Sequence, residues 1–407
     1  MTIFAIMSLL VKNVLLGEGR TNIFIDGNRF KAIGVPDDFA AEEVFDAEGL
    51  AVLPAFYNTH NHAAMTLLRG YADDMPLQKW LQEYIWPYED KLTPDDIEKG
   101  SEIAVSEMVR SGTVFFNDMY FEIDRTIDVV RRAGMRASIG VTVMDYHSLA
   151  VQDSKKDFIE SFVDPTGGRI QLVIAPHAVY TVCKERLVSW AEYARNHGLK
   201  LHIHVSETAS EVENCVKDHG MTPVRYLDSI GFLGPDVVAA HCVHVDEEEW
   251  DILAERGVTV SHCPCSNMKL GSGRFPYELA IKSGVKMSLG TDGCSSNNNL
   301  DMREEMKFAA LMAKCVSANS DGTLTNFGDP ALLPAETVLK WATVGGAQAF
   351  GIDAGEIAEG KIADCIFVDM NDPRMIPCHN LVSNWVYSST SNSVKAVICD
   401  GRMIWKG

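Results

Sequence analysis

The sequence predicts an α/β protein: a (β/α)8 TIM barrel carrying a small β domain built from both chain ends. Three observations lead there. Eight short apolar runs between residues 50 and 289 alternate with longer amphipathic stretches, the pattern of strands and helices around a parallel sheet. Polar residues (His60/His62, Asn117/Asp118, His177, His204, His241, His262 and Asp292) mark the ends of most runs, and in such barrels the C-terminal strand ends carry the chemistry. Outside this region the chain reads as short strands punctuated by turns.

Residues 8 to about 53 look all-β, with Leu9–Leu15, Ile23–Ile25 and Arg29–Ile33 separated by Gly17–Gly19 and Asp26-Gly27-Asn28. The apolar start lacks a basic segment and a small-residue cleavage site before Lys12. It is therefore read as a first strand from Ser8, with the natural start at Met1 or Met7, not as a secretion signal. The barrel runs are Leu50–Tyr57, Thr113–Asn117, Ala137–Val143, Gln171–Ala175, Leu199–Val205, Val237–His241, Val258–His262 and Val285–Leu289. Helical stretches such as Asp95–Arg110 and Lys184–His197 lie between them. After a last helical region, about Pro334 to Phe350, Ala363–Val368, Val394–Cys399 and Arg402–Trp405 are again strand-like. So small a tail cannot bury itself, and pairing with the N-terminal strands solves that. The expected division is 1–53 and 351–407 for the β domain and 54–350 for the barrel.

With 407 residues, 46% hydrophobic and 23% charged, the chain can bury a large core. A net charge of −20 argues against nucleic acid or an acidic membrane surface as partner, but admits a small nucleoside without phosphate. No run after the N-terminus is long enough to span a bilayer. Ten cysteines without a paired spacing, three of them (Cys242, Cys263 and Cys294) in or beside buried runs, point to a reducing cytoplasm. Cys263-Pro-Cys265 has no second pair to complete a zinc site. Whether the chain forms a homo-oligomer is left open.

His60 and His62 sit two apart, so on a strand both imidazoles point to one face. Any single histidine here is better explained as a packed, hydrogen-bonded core residue. It is the recurrence of donors at strand ends, with His204 and Asp292, that argues for a site. Three imidazoles and one carboxylate suit a single divalent ion, zinc first and iron second, with room for a water. His202 shares a strand face with His204, but His204 lies nearer the strand end and is read as the ligand. Glu207, three residues on, is placed to act as an acid/base. His241 is read as facing the water, and His244 as serving packing or a surface hydrogen bond. No lysine ends the fourth run, which argues for one metal, not two. One metal, one water and one acid/base carboxylate specify hydrolysis at an electrophilic carbon.

The motifs NTHNHAAMTLLRG, WPYED, APHAVYT, HIHVSET, AAHCVH, SNMKLGSG and SLGTDGCSSNNNLDMREEM resemble, in order over residues 54 to 350, those of the amidohydrolase superfamily. Within it they are most similar to the 5'-methylthioadenosine/S-adenosylhomocysteine deaminases, near the triazine hydrolases. The resemblance implies a β-sandwich from both chain ends beside the barrel. It also implies His60, His62, His204 and Asp292 as metal ligands, and Glu207 as a proton shuttle to a purine ring nitrogen. His241 and Asp292 would steer the attacking water, Glu89 would hold ribose hydroxyls, and His177 would contact the nucleoside. Trp80 would lie against the base or pack in the core. The implied reaction replaces the 6-amino group of an adenine nucleoside by oxygen and releases ammonia. The rival is the same machinery on a guanine-like base or a triazine, which would leave Glu89 without a ribose to hold. A catalytically silent barrel kept as a binding module is opposed by the complete donor set. One departure stands out: Gly140 to Ser154 contains no Arg or Lys to meet a substrate carboxylate. Lys155 and Lys156, next in the chain, are expected on an exposed helix start.

Overall fold

The computed structural model describes residues 8–146, 148–315 and 328–407. The N-terminal alternation forms β1 (Ser8–Leu16), β2 (Gly19–Asp26) and β3 (Arg29–Ile33). Then come β4 (Glu43–Asp46) and β5 (Leu50–Pro54). Nothing in the sequence announces β4, because only Phe45 of its four residues is buried. β1 pairs with β2 on one edge, and on the other takes β4 over Leu9–Lys12 and β5 at Leu15. That change of partner falls at an irregularity between Val11 and Val14, where Asn13 has φ 59°.

The barrel comprises β6 (Phe56–Asn61), β7 (Thr113–Tyr120), β8 (Arg136–Val143), β9 (Ile170–Pro176), β10 (Lys200–Val205), β11 (Val237–His241), β12 (Thr259–His262) and β13 (Lys286–Leu289). They lie side by side in chain order, every pair parallel. β6, β7 and β8 are buried at every residue, which is why they appear as continuous apolar runs without alternation. The ring draws shut between β6 and β13. There the Thr59 hydroxyl donates to the Leu289 carbonyl at 2.9 Å, and the Asp292 amide to the His60 carbonyl at 3.0 Å. One expected strand is corrected: Leu50–Tyr57 divides at Ala55, its first half entering the end sheet as β5 and its second opening the barrel as β6. Both halves are mostly buried, so the apolar run hides the break.

β14 (Cys365–Asp369), β15 (Val394–Cys399) and β16 (Arg402–Lys406) extend the end sheet from β5. One apolar cluster there joins Leu9, Val11, Ile23 and Phe45 to Phe367, Ala396 and Ile398. The two bodies meet at the start of β8, where buried Arg136 places Nε 3.3 Å from Asp364 Oδ2 and also pairs with Asp400. The Tyr57 hydroxyl donates to the same fully buried Asp364. Among the described residues no helix is long and apolar enough to cross a membrane. All ten cysteines are free thiols.

Candidate active site

At the C-terminal ends of β6, β10 and β11, four imidazoles face one point. The His60 ring lies 4.9 Å from His62, 4.8 Å from His204 and 5.2 Å from His241. Asp292 completes the group, with Oδ1 3.4 Å from His60 Nε2 and 3.2 Å from His62 Nε2. Sharp backbone turns aim these side chains: Ser206, His241, Cys242 and Asp292 are all left-handed, at φ 50°, 72°, 51° and 59°. Non-glycine residues rarely adopt that conformation, and the strain concentrates where the side chains must converge. Gly290 lets the Asp292 arm lie against β6, since a Cβ there would meet His60 Cβ at 2.7 Å.

Hydrogen bonds settle which nitrogen each ring presents. His62 Nδ1 donates to the Met119 carbonyl at 2.6 Å and His204 Nδ1 to the His177 carbonyl at 2.7 Å. A carbonyl only accepts, so the protons sit on Nδ1 and each Nε2 offers a lone pair. For His60 the argument takes one more step. His202 Nδ1 donates to the Val238 carbonyl at 2.9 Å, which leaves His202 Nε2 to accept from His60 Nδ1 at 2.8 Å. His60 Nε2 is then buried with no hydrogen-bond partner. Asp292 turns Oδ1 to the imidazoles, while Oδ2 accepts the hydroxyls of Ser266 at 2.6 Å and Ser296 at 3.0 Å.

The electrostatics call for a cation. Burial works against charge on Asp292, yet the His60 and His62 imidazoles beside it hold its pKa well below the usual carboxylate value. Burial likewise disfavours a charged His62, but Asp292 outweighs it and lifts that imidazole to about 9; burial, helped by the neighbouring His62 and His241, carries His60 down to about 4 against the pull of Asp292. The anion thus draws a proton onto a neighbouring ring when nothing more positive is near. A divalent ion among the Nε2 lone pairs and Oδ1 would replace that proton, and the orphaned His60 Nε2 fits such a group. The metal-capable groupings found among the described residues both lie here: His60 with His204 and His241, and His60 with His62 and Asp292.

Above this floor a cavity is lined by His177, Glu207, Trp80, Glu89, Tyr120 and Thr142 among others. Glu207 is buried, and desolvation raises its pKa; Oε2 lies 3.8 Å from His241 Nε2. His241 is oriented through Nδ1, which donates to Asn267 Oδ1 at 2.8 Å. The Glu211 carboxylate, unnoticed in the sequence, accepts the Ser206 and Glu207 amides at 3.0 and 2.7 Å and so fixes the turn that carries Glu207. Glu89 accepts the Tyr120 hydroxyl at 2.7 Å, and burial pushes its pKa up to about 7. His177 bonds Thr181 through Nδ1 at 2.9 Å and is kept neutral by burial, its pKa down to about 3. Trp80 lines the cavity and also packs with Leu68, Leu77 and Ile97. A second hollow shares Trp86, Glu89, Phe121 and Met144 with the cavity and reaches Tyr146.

Other strand-end residues serve the scaffold. His262 bonds Tyr277 and lies against Phe275; Asn117 donates to the Thr59 carbonyl; Asp118 accepts the Ala63 amide. His244 bonds the Ser272 carbonyl. Lys155 is a correction: it is half-buried, its ammonium donates to the Thr142 carbonyl, and burial lowers its pKa to about 8. His147 lies outside the described residues. His202, Ser266, Ser296 and Glu211 were missed as contributors, and only His202 had a signal, the H-x-H spacing it shares with His204.

The chain is 44% identical over 386 residues to a 5'-deoxyadenosine deaminase of Methanosarcina mazei, covering 94% of this chain and 87% of the relative. It is 42% identical over 412 residues to a 5-methylthioadenosine/S-adenosylhomocysteine deaminase of Thermococcus sibiricus, covering 98% and 94%. A crystal structure of an adenosine deaminase from Xanthomonas campestris with bound zinc superposes with a TM-score of 0.89 at 32% identity, covering 97% of this chain and 92% of that one. The amidohydrolase family profile matches residues 51–404, and the chain belongs to that family.

Proposed function

We propose that this protein is a metal-dependent aminohydrolase acting on adenine nucleosides: water adds at C6, the 6-amino group leaves as ammonia, and a 6-oxo purine nucleoside remains. His60, His62, His204 and Asp292 would hold one divalent ion, zinc by preference for an imidazole-rich set and iron second. Bound there, such an ion acidifies a coordinated water towards a pKa of about 7. Burial raises the Glu207 pKa, which suits it to carry a proton, and it gives one to the ring nitrogen beside C6 as water adds. It then takes the proton that water gives up, passes it to the departing amine, and recovers its own from the C6 hydroxyl as the oxo group forms. His241 and Asp292 steer the water. Glu89, oriented by Tyr120, accepts ribose hydroxyls; His177 contacts the nucleoside; Trp80 lies along the base.

The observation that carries this reading is the spacing of functions along one cavity, with Glu207 over the imidazole floor and Glu89 on the wall beyond. The deaminases named above support it. The ten free thiols support a reducing cytoplasm. A panel of adenine nucleosides, free bases and triazines assayed for ammonia release tests the proposal. Turnover of adenosine-type nucleosides at least about a hundredfold above adenine or guanine is expected if Glu89 holds a ribose through charge-assisted bonds. Faster release from a free base or a triazine removes Glu89 from that role, and a metal-loaded enzyme turning over none of the panel leaves the barrel a binding module.

A further inference from the structure

Glu305 lies on the helix Met302–Cys315, completely buried and outside the cavity. Its two carboxylate oxygens serve two different stretches of chain. Oε2 accepts the Cys265 amide at 3.1 Å, and Oε1 accepts Asn297 Nδ2 at 2.6 Å. Cys265 immediately precedes Ser266, and Asn297 immediately follows Ser296. Those serines are the two whose hydroxyls hold Asp292 Oδ2. Asn297 Nδ2 also donates to the Thr291 carbonyl at 2.7 Å, one residue before Asp292. Both arms that orient Asp292 are therefore tied to one carboxylate.

We propose that Glu305 is a positioning residue for the reaction: it clamps the Ser266 and Ser296 arms at the spacing that aims Asp292 Oδ1 at the imidazole cluster. The inference rests on reading Asp292 as a metal ligand. The physical logic is that Asp292 occupies a left-handed backbone conformation and would relax if its hydroxyl donors drifted. Two short side chains, one on the short helix Pro264–Lys269 and one on the turn after Asp292, cannot hold that register alone, and a single buried acceptor bonded to the neighbour of each can. Burial pushes the Glu305 carboxyl up to about 8, so it sits in this place at a penalty that its donor contacts with Cys265 and Asn297 only partly offset.

The test compares Glu305→Gln, the double variant Ser266→Ala/Ser296→Ala, the triple variant and Asp292→Asn, all metal-loaded. Outer-shell partners of metal ligands typically change activity or metal affinity by about ten- to a hundredfold. Glu305→Gln and the serine double variant should each lower kcat by about that factor with KM moved less than about threefold. Each should also lose metal to EDTA at least about tenfold faster than wild type. Because both act through Asp292 Oδ2, the triple variant should be no worse than the serine double variant. Wild-type kcat and metal retention in Glu305→Gln, or losses that multiply in the triple variant, would overturn the proposal. Should Glu305→Gln fail to fold, Asn297→Ser cuts one arm while leaving Glu305 its bond to Cys265. The same split between kcat and KM is then required, and its absence is equally fatal. Asp292→Asn keeping both metal and turnover would instead sink the reading of Asp292 itself, a separate result.

Discussion

His202, which does not line the cavity, sets the tautomer of the candidate ligand His60. Its Nδ1 bond to Val238 forces its Nε2 to accept, which fixes the proton of His60 on Nδ1 and frees Nε2. His202→Phe would leave a buried N–H unpaired and His60 free to rotate, so metal affinity should fall about ten- to a hundredfold in a chelator competition. His202→Gln, whose amide oxygen can accept, should recover part of that; equal loss in both variants means the hydrogen bond is not what matters. Glu207 makes the complementary prediction. Glu207→Gln should lose about 10²- to 10⁴-fold in kcat while keeping one metal per chain by elemental analysis. Near-normal turnover excludes it as the proton shuttle, and a metal-free variant would make it a ligand. At this scale the sequence shows His60, His62, His204 and Asp292 through their strand-end positions. It does not show Ser266, Ser296 or Glu305, because small hydroxyls and a mid-helix glutamate carry no local pattern and their partners lie 26, 4 and 40 residues away.

At the scale of elements, apolar runs located seven barrel strands, six to within a residue at each end and β7 short of its end at Tyr120, and concealed the border of the remaining one. Leu50–Tyr57 is buried except for partly exposed Leu50 and Pro54, so hydrophobicity could not mark Ala55 as the point where the chain changes sheet. β4 was invisible for the opposite reason, having one buried residue. What joins the sheet to the barrel was also hidden, since Arg136, Asp364 and Asp400 are far apart in sequence and charged residues are usually read as surface. Burial works against charge on Arg136, but Asp364 more than restores it, and the guanidinium pKa is raised. Arg136→Met removes that compensation and leaves Asp364 buried without its cation. Unfolding in urea should register a loss of about 3–5 kcal/mol, and Arg136→Met/Asp364→Asn should regain most of it. A single variant within about 1 kcal/mol of wild type would show that the Tyr57 hydroxyl and the Asp400 amide suffice for Asp364.

Over the whole molecule, acidity and burial act together. Burial lifts Glu89 and Glu211 to about 7 and Glu305 to about 8, against 4.5 in an unfolded chain. Raised carboxyl pKa values mean the folded state keeps protons that the unfolded state releases. Their stabilisation is complete below about 4.5 and is lost as pH rises through about 7 to 8. His60, His177 and His262, pushed down to between about 3 and 4, are essentially neutral in both states only above about 7.5, and add little slope there. The metal-free protein should therefore melt at falling temperature from pH about 7.5 to about 8.5, and Glu211→Gln should flatten part of that fall; a level wild-type profile excludes it. The same acidity bears on the substrate's 5' tail. The chain as a whole carries a net charge of −20, and among the described residues no arginine or lysine lines the cavity or the hollow running past Trp86, Phe121 and Met144 to Tyr146. That hollow instead offers aromatic and thioether surface with Glu89, Asp90 and Glu122 beside it. Lys155 does not fill the gap, for its ammonium is turned to the Thr142 carbonyl. A carboxylate entering there would lose its water without gaining a cation, whereas a methylthio or hydroxyl tail loses little. One missing charged contact, worth about 1.5–3 kcal/mol, corresponds to roughly ten- to a hundredfold. 5'-Methylthioadenosine or adenosine should accordingly exceed S-adenosylhomocysteine by that factor in kcat/KM. Raising salt from about 50 to 500 mM should narrow the gap, because screening weakens repulsion by the acidic rim. A clear preference for S-adenosylhomocysteine would mean that its carboxylate finds a cation supplied from elsewhere, such as a neighbouring copy of the chain.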